Sequence, residues 1–98
     1  MNFVLLFEDN AELSAEVRRT HLPAHLAFLK ENEGMIVSAG PLAETDGSPA
    51  GGIWIVSAAS AEAAEALVKQ DPFWPTGLRK SVRVLEWRKV FEDGAVFI

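Results

Sequence analysis

The chain has 98 residues, 49% of them hydrophobic, and a formal net charge of −5 at pH 7. This length makes one domain, residues 1–98, with a modest core for which help from a partner subunit is plausible, and the hydrophobic content argues against disorder. The acidic balance, without a basic patch, speaks against a nucleic-acid ligand. The lack of Cys excludes disulfides, thiolate zinc sites and a Cys nucleophile.

The first apolar run, Phe3-Val4-Leu5-Leu6-Phe7, reads as a strand ended by the turn-prone Glu8-Asp9-Asn10. It is too short for a signal peptide or a membrane span and has no basic segment before it, so a soluble cytoplasmic protein is expected. Residues 11–33 are helix-like but divided by Pro23. One reading is a short turn over about 12–19 followed by a main helix over 21–33 with Thr20 as N-cap. The other is a single helix kinked at Pro23. Leu22, Leu26 and Leu29 form an apolar stripe at helical spacing, and Gly34 suits the C-cap.

Met35–Ala39 reads as a second strand, stopped by Gly40-Pro41, and residues 43–52 as a loop rich in Gly, Ser, Pro and Asp. Ile53-Trp54-Ile55-Val56 is a third strand. Ser60 is a suitable N-cap for a helix over 61–70, with Ala64, Leu67 and Val68 inward, that Asp71-Pro72 terminates. Residues 81–88 read as a fourth strand, followed by an apolar tail. The order β-α-β-β-α-β predicts an α+β, ferredoxin-like domain with helices on one face of an antiparallel four-stranded sheet. The first and third strands are apolar on both faces, so both faces are expected to be covered, either by the sheet of a second copy or by the tail.

Few groups in this chain suit proton chemistry near neutral pH, since it has two His, no Cys and no Tyr. His25 lies beside the leucine stripe, turned towards the sheet. If its helix begins near residue 21, the positive end of the helix dipole favours the neutral ring that a general base needs. The alternative is a half-buried, hydrogen-bonded, inert histidine. Asp71 falls on the inward face of the second helix at its C-terminus, placed either to accept from a histidine N–H or to cap the turn it begins. His21 and His25 have H-x-x-x-H spacing, but a third ligand and the usual adjacent Glu are missing and Pro23 intervenes, so no metal is expected. Ser38, at the end of the second strand, is a candidate hydrogen-bond donor to a pocket. It lacks a nucleophile elbow. Phe73, Trp74 and Trp54 suit a core or the wall of an aromatic pocket.

The runs Pro23-Ala24-His25-Leu26, Ser38-Ala39-Gly40-Pro41-Leu42 and Asp71-Pro72-Phe73, in this order and spacing, resemble those of YCII-related (YciI-like) proteins. The resemblance covers almost the whole chain, to about residue 90. It implies a ferredoxin-like fold that dimerises through its sheets, the dimeric α+β barrel, and a His–Asp pair in a cleft that maps onto His25 and Asp71. It also implies that Ser38 lines the pocket and that Arg18, with Arg19 as a competing neighbour, holds an anionic group. One branch of the family resembles dehydrochlorinases acting on chlorinated hydroxyquinols, and related barrels include muconolactone isomerases. The expectation is a cytoplasmic homodimer acting without a cofactor on a small cyclic or aromatic compound. His25 and Asp71 would carry proton transfer in an elimination, dehydrochlorination or isomerisation. Ser38 and Arg18 would orient substrate, and Phe73 and Trp74 would shape the wall. The alternative is a dimer that binds a small molecule in the same cleft without turnover.

Overall fold

The computed structural model describes all 98 residues. In chain order it contains β1 (Asn2–Asp9), α1 (Ala11–Glu31), β2 (Ile36–Ala43), β3 (Pro49–Ser57), α2 (Ala61–Gln70), a single 3-10 turn at Trp74–Thr76 and β4 (Arg79–Glu86). A small separate hairpin, β5 (Phe91–Glu92) and β6 (Ala95–Val96), follows. The sheet order is β2-β3-β1-β4, antiparallel throughout. This is the ferredoxin-like arrangement: each helix crosses between strands that are not neighbours, and the two strands apolar on both faces occupy the centre.

Strand alternation sets the core. Phe3, Leu5 and Phe7 of β1 and Trp54 and Val56 of β3 point to the helix side, where they pack with Phe28 of α1 and Ala64, Leu67 and Val68 of α2. Val4, Leu6, Ile53 and Ile55 point the other way and are half-buried. With Leu85 and Trp87, most of them line a shallow apolar groove of about 330 Å³ on the helix-free face. The tail does not cover that groove, and Phe91, Val96, Phe97 and Ile98 are themselves exposed.

Several local expectations are corrected. Pro23 does not divide α1, which runs unbroken from Ala11. Pro23 and Arg19, whose carbonyl loses its helical partner to the proline, are both exposed, so the missing bond falls on the solvent side of the helix. The leucine stripe is not the buried face: Leu22 and Leu26 are exposed, while Val17, His25 and Phe28 face inward. Asn32, not Gly34, closes α1, with its side-chain amide donating to the Phe28 carbonyl at 2.8 Å. Ser60 caps α2 as expected, accepting from the Ala63 amide at 3.1 Å.

Half of the segment read as loop over 43–52 is strand, because β2 and β3 extend into a long hairpin that turns at Glu44–Ser48. Within that turn the amide and hydroxyl of Ser48 both donate to Asp46, whose carboxyl is thereby held below its ordinary range. Gly51 adopts φ +88°, and a Cβ there would meet the Phe7 carbonyl oxygen at 2.0 Å, so the close pairing of β3 with β1 requires glycine at this position.

Candidate active site

His25 lies about four turns into α1, not near its start, so the helix dipole invoked from sequence does not bear on it. Its position instead places the ring between the helix and the segment leaving α2. Asp71 is the residue at which α2 stops, its φ of −67° and ψ of 132° set by the following proline. There it meets His25 across 46 positions of sequence, with Nδ1 to Oδ1 at 2.7 Å. The same carboxylate oxygen accepts the Phe73 amide at 3.1 Å. The turn role and the histidine-partner role proposed for Asp71 are therefore filled by one atom. Both side chains are buried, at 8% and 2% exposure for His25 and Asp71.

An ionised carboxylate only accepts hydrogen bonds, so opposite an ionised Asp71 it is Nδ1 that donates, and a neutral ring in that tautomer carries its lone pair on Nε2. Phe73, fully buried, fixes the ring plane by stacking on it at 4.0 Å and 12°. The His25 ring forms part of the wall of a cleft of about 110 Å³ between α1 and β2, with Trp54 also in its lining. The exposed Leu22 and Leu26 stand along this cleft, which gives the leucine stripe a place outside the core.

A larger cavity of about 290 Å³ adjoins this cleft, and the two share Arg18 and Pro41 in their walls. Arg18 donates to Asp9 Oδ2 at 2.9 Å and to Ser14 at 3.3 Å. Arg79 donates to the other oxygen of the same carboxylate at 2.9 Å. Asp9 and Arg79 were not singled out from sequence. A register shift between Glu8 and Asp9 pairs Asp9 with Arg79 instead of Lys80, which turns Arg79 to the helix side and Lys80 outward. Strand alternation assigns the inward place to Lys80, so no local signal marks this pair.

The structure brings Arg18, His25, Asp71 and Phe73 together, although Phe73 lies fully buried behind the His25 ring and not in the cleft wall expected of it, and it leaves Ser38 and Trp74 elsewhere. Ser38 pairs with Ile55, lies on the helix-free face and is exposed, so it lines neither cavity. An irregularity between Ile36 and Ser38 sets that face. Trp74 is half-buried against the main core, outside the cleft lining. No three potential metal-ligating side chains cluster anywhere in the chain, and no helix is long and apolar enough to cross a membrane.

An α+β domain of this topology with a buried His–Asp pair beside a cleft matches a known family. The model of the YCII-related domain aligns with residues 1–88, and the chain belongs to that family. It is 33% identical over 99 residues to protein YciI of Escherichia coli O6:H1, covering 93% of this chain and 100% of that protein. The identity and coverage are the same for protein YciI of Shigella flexneri. Among solved structures it resembles the 5-chloro-2-hydroxyhydroquinone dehydrochlorinase (TftG) of Burkholderia phenoliruptrix AC1100, determined in complex with 2,5-dihydroxybenzoquinone. The TM-score is 0.76 at 28% identity, over 90% of this chain and 94% of that one.

Proposed function

We propose that this chain is a cytoplasmic, homodimeric enzyme that transfers a proton on a small cyclic or aromatic compound without a cofactor. His25 is the general base or acid and Asp71 its orienting partner. The observation that carries this reading is the 2.7 Å contact from His25 Nδ1 to Asp71, made by a ring that also borders an open cleft. Asp71 holds the tautomer whose Nε2 lone pair accepts a proton, and its carboxylate stabilises the imidazolium that then forms. For an elimination, the substrate proton passes to Nε2 and the leaving group departs with its electron pair. For an isomerisation, the imidazolium returns the proton at a different atom. The likeness to a dehydrochlorinase of a chlorinated hydroxyhydroquinone supports the first and points to ring compounds of that size.

Chlorinated and chlorine-free hydroxyquinols, screened by thermal shift and then followed by absorbance and chloride release, test this directly. The expected result is turnover of at least one binder, reduced about 10²–10⁴-fold in His25→Ala, which still shows the thermal shift. Ligands that bind and stay unchanged, with His25→Ala altering affinity alone, would instead define a binding module.

The dimer reading is supported by the apolar helix-free face of Val4, Ile53, Ile55, Leu85 and Trp87, which nothing in the protomer covers. Sedimentation equilibrium at micromolar concentration is expected to give twice the protomer mass, and Ile55→Glu to give the protomer. A monomeric parent protein would refute this.

A further inference from the structure

Arg79 is a buried cation that the proton-transfer reading leaves unused. Its side chain is 4% exposed, and its guanidinium lies 4.1 Å over the Phe7 ring and 5.6 Å from the Phe73 ring. Gly52 makes room for it, since a Cβ there would come within 3.1 Å of Nη1. Of its five N–H donors, the chain engages the one on Nη1 that Asp9 accepts. Nε is sealed without any partner, and Nη2, which makes no hydrogen bond either, is the idle nitrogen that keeps accessible surface. An arginine does not shed its proton in a protein, so a buried guanidinium with idle donors is costly until an acceptor completes it.

The neighbouring groups do not supply that acceptor. Asp9 divides its two oxygens between Arg79 and Arg18, so this cluster keeps one positive charge in surplus. Asp71 accepts from His25 and the Phe73 amide through Oδ1 and makes no hydrogen bond to Arg79. Arg79 and Arg18 both border the chamber that His25 borders.

We propose that this chamber takes a ligand bearing an anionic oxygen, a carboxylate or the ionised oxygen of an acidic enol or phenol. Arg79, assisted by Arg18, receives that oxygen while His25 faces the proton to be moved. The proposal deepens the proton-transfer reading by naming its substrate class. Taking a proton from such a substrate leaves negative charge on its oxygen, and a fixed guanidinium in a water-poor site stabilises that charge without having to reorganise.

Binding measurements with matched probe pairs test the assignment: 2,5-dihydroxybenzoquinone against its neutral dimethyl ether, and benzoate against benzamide. The parent protein is expected to bind the anion of at least one pair about 10-fold or more tightly than its neutral twin. The Arg79 Nη–H NMR resonances should shift on binding that anion. Arg79→Met, which keeps the apolar stem, should abolish the preference. If it fails to fold with Asp9 uncompensated, the Arg79→Met/Asp9→Asn double variant carries the test. His25→Ala should keep the preference while losing turnover, so failure of the catalytic reading and failure of this one are distinguishable. Equal affinities within both pairs in the parent protein would overturn the proposal, as would an undiminished preference in a folded Arg79 variant. Unmoved Nη–H resonances at saturating anion would overturn it too.

Discussion

Asp71→Asn is expected to leave the chain folded and to lower His25-dependent turnover by about 10²–10⁴-fold, because the replacement removes the charge while keeping the shape. In the parent protein one oxygen of Asp71 takes both the Phe73 amide and His25 Nδ1–H. Asparagine in the same pose keeps its carbonyl oxygen as acceptor for both the Phe73 amide and Nδ1–H, with its NH₂ in the place of the second carboxylate oxygen, so the tautomer is retained while the negative charge that stabilises the imidazolium is lost. Nitrogen-15 NMR of the neutral His25 ring reads this without any substrate: Nδ1 protonated in both proteins, which assigns the lost turnover to charge. Asp71→Ala should behave differently, leaving two buried donors without an acceptor at about 1–3 kcal/mol for each group, and so appear first as lost stability. Parent-like turnover in a folded Asp71→Asn protein would reduce Asp71 to a turn residue.

Trp54→Ala is expected to cost about 3–5 kcal/mol, the range for truncating a buried aromatic. Domains of this kind hold about 5–15 kcal/mol in total, so the loss is about a fifth of the reserve or more, and each kcal/mol lowers the melting temperature by about 4–8 °C. Trp54 is 1% exposed on a central strand, with Phe7 at 5.2 Å, Phe28 at 6.0 Å and His25 at 6.5 Å between ring centroids. It joins the sheet to α1 and also lines the cleft beside His25. The variant should therefore lose ligand-induced thermal shift together with stability. Urea denaturation followed by circular dichroism checks the magnitude, and a loss below about 1 kcal/mol would mean the site collapses around the gap far better than buried aromatic sites usually do.

The parts of this architecture that were legible in sequence are those that nearest-neighbour chemistry controls. The α2 boundaries follow from Ser60 at one end and Asp71-Pro72 at the other, and the structure keeps both. The central places of β1 and β3 follow from side chains that are apolar in both phases of the alternation. The inward setting of Asp71 follows from its helical spacing to Leu67 and Val68, whereas His25 is inward although the leucine stripe that placed it there is largely exposed. Where competing local signals met, the reading stayed open or failed: Pro23 allowed either a break or a single helix, of which the structure has the single helix, and glycines in the β2–β3 hairpin suggested a loop at residues where β2 and β3 pair with each other.

What the sequence determined by itself is the order of elements, the two-sided central strands, and a histidine and an aspartate each turned inward. Tertiary structure alone decided that these two meet at 2.7 Å on top of Phe73, that Ser38 faces away from them, and that Asp9 and Arg79 join the same chamber. The physical reason is that periodicity gives a side chain's direction relative to its own strand or helix. Contacts across the fold depend on register, and the shift after Glu8 in β1 reverses which residue of β4 points inward. One position of slip exchanged Lys80 for Arg79, and with it put a buried guanidinium beside the histidine.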